Sequence, residues 1–499
     1  MNFSDSIITI TGLLLLAGVF SNKLSSRFNL PTLLLFLLVG ICFEAVLPIE
    51  GTLYANEINF FGIVAMCFIL YAGGSDTSPE TIEPVAKRGI LLAVPGVMIT
   101  AAITGFGAYF LLRCQYPLLW CLLLGAIISS TDAAAVFAIL RGKNISLKGN
   151  LKPLLELESG SNDPTAAFLT MMMIGFVLGK SHSVALEIPL ILYQLGGGIL
   201  AGIVFGWLGK QLFKTRLDHE GLYFVVSVAW ILLCYGASQL IRTNGFMACY
   251  VCGIALNAGK YNYQKALIKF HNGIAWLMQV GLFTVLGFLA DPEHLIESSV
   301  WLPGIALGLL LMLIARPAAV FICLFHSDYT WREKLMVSWV GIRGAAPIVL
   351  ATFPLAAGVD NAALMFRLIF FMVILSVTLQ GWLIMPVAKL LKVADDTKEA
   401  KEPPAPLELE VTEKSAHQEM KEYRVRAGNE LIGKTLAEIK FPQGVLVTMI
   451  RRNKFFIPPH GDTRIEEKDG MLIMADIKLL KELEKKYFFP NDPGTAPEK

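Results

Sequence analysis

The chain has 499 residues, 55% of them hydrophobic and only 16% charged, with a formal net charge of +2. A soluble protein carries about a quarter charged residues, so a wholly soluble protein is excluded. The net charge by itself says nothing about nucleic acid, but no basic block or basic-aromatic stripe is present, so nucleic acid is not expected as a partner.

Met1 to Asp5 lack the basic region of a secretory signal, so the first apolar segment reads as a retained span. A membrane helix needs about 20 largely apolar residues. Hydropathy predicts about thirteen such spans, at 5–22, 30–48, 57–74, 89–112, 117–140, 151–179, 185–209, 221–241, 244–259, 271–290, 301–325, 334–356 and 364–391. The alternate loops are basic. They hold Lys23 and Arg27, Lys87 and Arg88, Arg141 to Lys152, Lys210 to Arg216, Lys260 to Lys269, Arg332 and Lys334, then Lys389 and Lys392. Basic residues accumulate on the cytoplasmic side. The expected topology is a multi-pass protein of the cell inner (plasma) membrane, with the N-terminus outside. Eight cysteines fall before the tail and read as packing thiols; the Cys249-x-x-Cys252 pair lacks the second ligand pair of a metal site.

Composition changes after Lys392. The domain reading is a transmembrane part at 1–392, a linker at 393–416 rich in acids and prolines, a cytoplasmic α+β module at 417–490 and a tail at 491–499. In the module, strands are expected around Tyr423, over Val445–Arg452 and over Met471–Ala475, with helices at 431–440 and 477–488. Some seventy residues make a marginal core, so this module is expected to dimerise.

Ionisable residues inside spans are costly and mark function. The densest set is Glu158-Ser-Gly-Ser-Asn-Asp-Pro164 in the sixth span. Glu158 and Asn162 lie one turn apart, as do Ser159 and Asp163, which puts two carboxylates, a hydroxyl and an amide on adjacent stripes. Such oxygen ligands suit hard cations. The fifth span carries Ser129-Ser-Thr-Asp132, residues that compete for backbone hydrogen bonds and unwind a helix. Asp132 would then begin a half-helix, where negative charge is favoured. The twelfth span carries Gly341-Ile-Arg-Gly-Ala-Ala-Pro347 and also reads as interrupted. Two interrupted helices at corresponding positions of an inverted repeat point to a transport site at the midplane. Arg343 needs an anionic partner at that depth, and Glu158 is the expected one. Arg316 reads as a residue near a helix end, with its head in the interface.

At these residues the sequence resembles the monovalent cation/proton antiporters of the NhaP branch, through Thr131-Asp132, Glu158-Ser159, Asn162-Asp163 and Gly341-Ile-Arg343-Gly-Ala. The tail resembles the C-terminal regulatory (TrkA-C, RCK-C-like) domain of potassium-transport proteins, through Gly433-Lys-Thr-Leu436, Gly444-Val-Leu-Val447 and Pro459-His-Gly-Asp-Thr463. The resemblance implies an all-α membrane homodimer of thirteen helices per subunit, with inverted repeats. It implies a cation or proton at Asp163, assisted by Asn162, Ser159, Thr131 and Asp132, and a structural ion pair of Glu158 with Arg343. The Asn-Asp order implies electroneutral exchange. Some relatives carry an acid on the third span; here Leu70-Tyr-Ala-Gly-Gly74 has none.

The expected function is antiport of cytoplasmic potassium, with sodium as the alternative ion, for protons, in the service of pH homeostasis. No cofactor is expected beyond the transported ion, and no enzyme motif is present. The module is expected to bind a nucleotide or other small ligand and tune transport. A potassium channel of the same regulated kind would need a carbonyl-lined filter such as Thr-Val-Gly-Tyr-Gly, and no such string occurs.

Overall fold

Long apolar helices fill the first part of the chain because its sequence offers lengths of 20 and more residues almost free of charge. The computed structural model describes, with short breaks, residues 32–46, 55–395 and 418–488; of those before 32 only 12, 13 and 16 are described. The first expected span therefore lies almost wholly outside the described residues, as do the greater part of the expected linker and the tail. The chain divides into two compact units, Met1–Glu399 and Ala400–Lys499.

The helices of the first unit are α1 (Thr32–Val46), α2 (Ala55–Asp76), α3 (Pro79–Leu111), α4 (Leu118–Ile128), α5 (Leu151–Val177), α6 (Val184–Lys214) and α7 (Glu220–Leu240). They continue as α8 (Gly245–Asn257), α9 (Gln264–Phe288), α10 (Ser298–Cys323), α11 (Trp331–Trp339), α12 (Ala345–Ala356) and α13 (Ala362–Leu390). Every expected span from the second onward coincides with a helix or a broken pair. Among the described residues six helices are long and apolar enough to cross a membrane, and α4, α8 and α12 are shorter apolar pieces.

Packing sorts them into two bundles. One joins α1, α2 and α6 to α9; the other joins α3 to α5 with α10 to α13. In the first bundle backbones touch. A Cβ on Gly74 of α2 would lie 2.2 Å from the Tyr250 carbonyl of α8, and one on Gly253 of α8 would lie 2.4 Å from the Tyr71 carbonyl. In the second bundle the two halves correspond. α3 and α10 each contain one π-type turn, 92–96 and 311–315. The element after each is interrupted: α4 stops at Ile128, and α11 and α12 are separated by an extended stretch. The bundles meet where α2 packs on α12 and α8 on α5. A two-residue ladder, β1 (Ser146–Leu147) with β2 (Ala394–Asp395), ties the segment after α13 to the loop before α5.

The second unit is a four-stranded antiparallel sheet in the order β3 (Gln418–Arg424), β6 (Gly470–Asp476), β4 (Leu446–Arg452), β5 (Phe455–Ile457). Its helices are α14 (Leu436–Ile439) and α15 (Ile477–Leu483). Tyr423, Ile450, Met471, Ile473, Leu480 and Leu483 form its core. The helix expected at 431–440 is only α14. Gly433 has φ +84, and Thr435 starts the helix through a capping box with Glu438. The hairpin partner β5 was not expected, since three residues are too short to show an alternating pattern.

Asp469 is fully buried and accepts from Arg452 Nε at 2.9 Å, Arg452 Nη2 at 2.8 Å and the Glu466 amide at 2.8 Å. Charged hydrogen bonds contribute about 2–3 kcal/mol when one is lost. Asp469→Asn in the full chain is expected to destabilise this sheet by about that amount. Hydrogen exchange of the 470–476 amides should accelerate, and unchanged protection there would refute the assignment.

Candidate functional site

The two interrupted helices cross and complete each other. After α4 the run Ser129 to Asp132 leaves the helix, and helical positions resume at 133. The Asp132 amide donates to the Ile342 carbonyl at 2.8 Å. Arg343 Nη1 donates to the carbonyls of Ser129 at 2.6 Å and Ser130 at 2.7 Å, filling acceptors that the end of α4 leaves open. In return the Asp132 carboxylate lies over Gly344, the residue before α12: a Cβ on Gly344 would fall 2.1 Å from Asp132 Oδ2. Asp132 thus meets the positive end of α12.

Helix α5 lies across this crossing. Ser159 Oγ donates to the Thr131 carbonyl at 3.0 Å and accepts from the Ala133 amide at 3.0 Å. Ser130 Oγ donates to Asp163 Oδ1. Asn162 Nδ2 donates to Thr131 Oγ1 at 2.5 Å. Pro164 has no N–H, so the Gly160 carbonyl one turn back loses its helical donor. A cavity of about 560 Å³ is lined by Ser130, Asp132, Ser159 and Asp163 and reaches Asp76, Lys152 and Glu156. Asp76 and Lys152 are exposed.

The expected residues therefore fall into two sets. Asp163, Ser159 and Asp132 line the cavity, together with Ser130, which was not singled out as a ligand. Asn162 is fully buried, and it and Thr131 bond each other behind that wall. The cause is helical rotation. Residues 159 and 163 share a stripe, while 158 and 162 sit on the neighbouring one.

The expected Glu158–Arg343 pair is not formed. Glu158 is 1% exposed and pairs with Arg316, Oε1 to Nη1 at 2.5 Å. Arg316 is 3% exposed and also donates to the Val337 carbonyl at 3.3 Å. The π-type turn 311–315 ends immediately before Arg316, which is buried in the bundle and not in the interface expected from its place near a helix end. Arg343 instead turns Nη1 to the carbonyls that follow α4. Its amide donates to Ser376 Oγ at 3.0 Å, which donates to Gln380 Oε1 at 2.5 Å, whose Nε2 donates to the Trp339 carbonyl at 2.9 Å. This last chain was missed because serine and glutamine in α13 give no hydropathy signal.

Comparison with known proteins decides the family. The sequence pattern described as "Sodium/hydrogen exchanger, transmembrane" matches residues 11–390, and the TrkA-C domain matches 420–487. The chain belongs to the sodium/hydrogen exchanger family. It is similar to a K(+)/H(+) antiporter NhaP2 of Shewanella oneidensis, 35% identical over 96% of this chain and 83% of that protein. It is also similar to a K(+)/H(+) antiporter NhaP of Alkalimonas amylolytica, 32% identical over 94% of this chain and 82% of that one. The solved structure of the sodium proton antiporter MjNhaP1 from Methanocaldococcus jannaschii superposes with a TM-score of 0.67 at 24% identity, covering 77% of this chain and 99% of that one. That likeness shows the shared fold. This sodium/hydrogen exchanger homologue is thus a multi-pass membrane protein with a TrkA-C domain.

Removing one member of a buried ion pair costs about 3–5 kcal/mol. Glu158→Gln and Arg316→Gln are each expected to lower the stability of the purified protein by that order. The double variant should lose less than the sum. Additive losses in a thermal-melt cycle would show that the two side chains do not act as a pair.

Proposed function

We propose that this exchanger carries one monovalent cation against one proton, with both competing for Asp163, and that potassium is the cation. The observation that carries the reading is the position of Asp163. It faces a cavity on the same stripe as Ser159, beside the crossing of two broken helices. A dehydrated carboxylate is costly to move bare, so the site travels with either a proton or a cation bound. That penalty couples the two fluxes.

The buried charges support a one-for-one ratio. Arg316 and Arg343 offset Glu158 and Asp132, which leaves Asp163 to be neutralised by its cargo. Proton-loaded and cation-loaded forms then carry the same charge. Potassium is preferred because the relatives at 32–35% identity bear potassium/proton names. Sodium is the second reading, favoured by a 26% identical Na(+)/H(+) antiporter 1 of Methanocaldococcus jannaschii. The cavity reaches Lys152, at the start of α5 and one of the basic set. We take that side as cytoplasmic, the N-terminus as outside and the membrane as the inner (plasma) membrane. Helices α6 and α7 expose Leu192, Trp207, Val225 and Leu233, which suits lipid or a second subunit. A homodimer, a role in pH homeostasis and regulation by a cytoplasmic small ligand at the TrkA-C domain complete the reading.

Asp163→Asn is expected to abolish exchange in proteoliposomes read by a pH-sensitive dye, with potassium, sodium, rubidium and lithium offered separately. Cation-dependent proton flux that survives in this variant would sink the model. Initial rates should also be indifferent to an imposed membrane potential; a clear voltage dependence would rule out equal charge in the two loaded forms.

A further inference from the structure

We propose that the Tyr250 hydroxyl is a cation ligand that helps set ion selectivity, placed on the passage between Glu156 and Asp163; the inference rests on the antiporter reading above. Tyr250 is 2% exposed and lines the cavity. Its hydroxyl has no hydrogen-bond partner among the described residues. The Thr77 hydroxyl lies close enough to interact with it but forms no well-aligned hydrogen bond to it, and donates to the Gly73 carbonyl at 2.7 Å. A buried hydroxyl without a partner is a net cost that phenylalanine would avoid. The group is explained if something that visits the cavity supplies the missing interaction.

The location identifies the visitor. Glu156 and Asp163 are seven residues apart on α5, two turns along one face and about 10 Å of helical rise. Gly160 lies between them, and the Tyr250 ring rests on it: a Cβ there would fall 2.2 Å from the ring carbons Cε2 and Cζ and 2.6 Å from the hydroxyl oxygen. The phenol is close enough to interact electrostatically with both carboxylates. A cation that moves from Glu156 to Asp163 passes this oxygen. A neutral hydroxyl offers it a lone pair in place of a lost water, the kind of ligand hard cations accept. Position matters for selectivity, and this position is held. The Tyr250 carbonyl lies at the Gly74 contact, so α8 is clamped to α2 while its ring reaches α5 in the other bundle.

The test is Tyr250→Phe in the full chain, reconstituted beside wild type and assayed with potassium, sodium, rubidium and lithium. Loss of one neutral oxygen ligand is expected to raise the KM for the preferred cation about 2- to 10-fold and to change the KM ratios among the four ions. Maximal rate should move much less, and thermal stability should hold or rise. Unchanged KM values for all four ions would overturn the proposal. So would a fall in maximal rate and stability at constant KM, the mark of a packing role. If wild type itself shows no cation-dependent proton flux, the antiporter reading fails instead.

Discussion

Helix α4 ends at Ile128 with carbonyls that no further turn receives, and an apolar bundle holds no water to take their place. The remedy comes from the other interrupted helix. Arg343 serves the carbonyls of Ser129 and Ser130, the Ile342 carbonyl receives the Asp132 amide, and the Asp132 carboxylate covers the start of α12. Each break is therefore satisfied by the other, and neither half-helix can leave without stranding backbone groups. The rest of the site hangs on this crossing. Ser159 and Asn162 bind α5 to it through Thr131, and Ser130 fixes the direction of Asp163.

The same constraint explains the charge pattern. The Arg343 guanidinium is turned with Nη1 to the backbone carbonyls, and the direct ion pair of Glu158 is made by a second arginine, Arg316. Desolvating an ion pair is itself expensive. The pair joins α5 to α10 across the bundle and keeps Glu158 off the cavity wall. Asp163 is left as the cavity-lining acid on α5 without an arginine partner among the described residues.

Much of this was legible in the sequence, for definite reasons. Spans show as long apolar runs, and breaks show where Ser129 to Asp132 and Gly341 to Gly344 interrupt them. The stripe of Ser159 and Asp163 follows from helical spacing. The partner of Glu158 was not legible, because it depends on Arg316 being buried in the bundle and on Arg343 turning Nη1 to backbone carbonyls. Asn162 sits beside Asp163 in sequence but a rotation of about 100° apart on the helix, and only packing shows which stripe meets the cavity. Tyr250 was hidden for a related reason: a tyrosine in an apolar helix looks like core until its hydroxyl is found without a partner.

The seam between the bundles is where these features acquire a common meaning. Within the bundle of α2 and α8 the backbones interlock at Gly74 and Gly253, which resists relative motion. Across the seam the contact beside the ion site is of another kind, an aromatic ring on the bare backbone of Gly160. A ring on glycine presents no side chain to interdigitate, and the polar tie across the same pair of helices comes from Asn244 before α8, whose side chain donates to the Pro164 carbonyl at 2.9 Å. Alternating access needs a site that can change sides without dismantling its own ligands. Here the cavity-lining Ser130, Asp132, Ser159 and Asp163 all belong to one bundle, held together by the helix crossing, while the ring-on-glycine contact lies between that bundle and its neighbour. That division suits the proposal that a loaded carboxylate changes sides with its bundle.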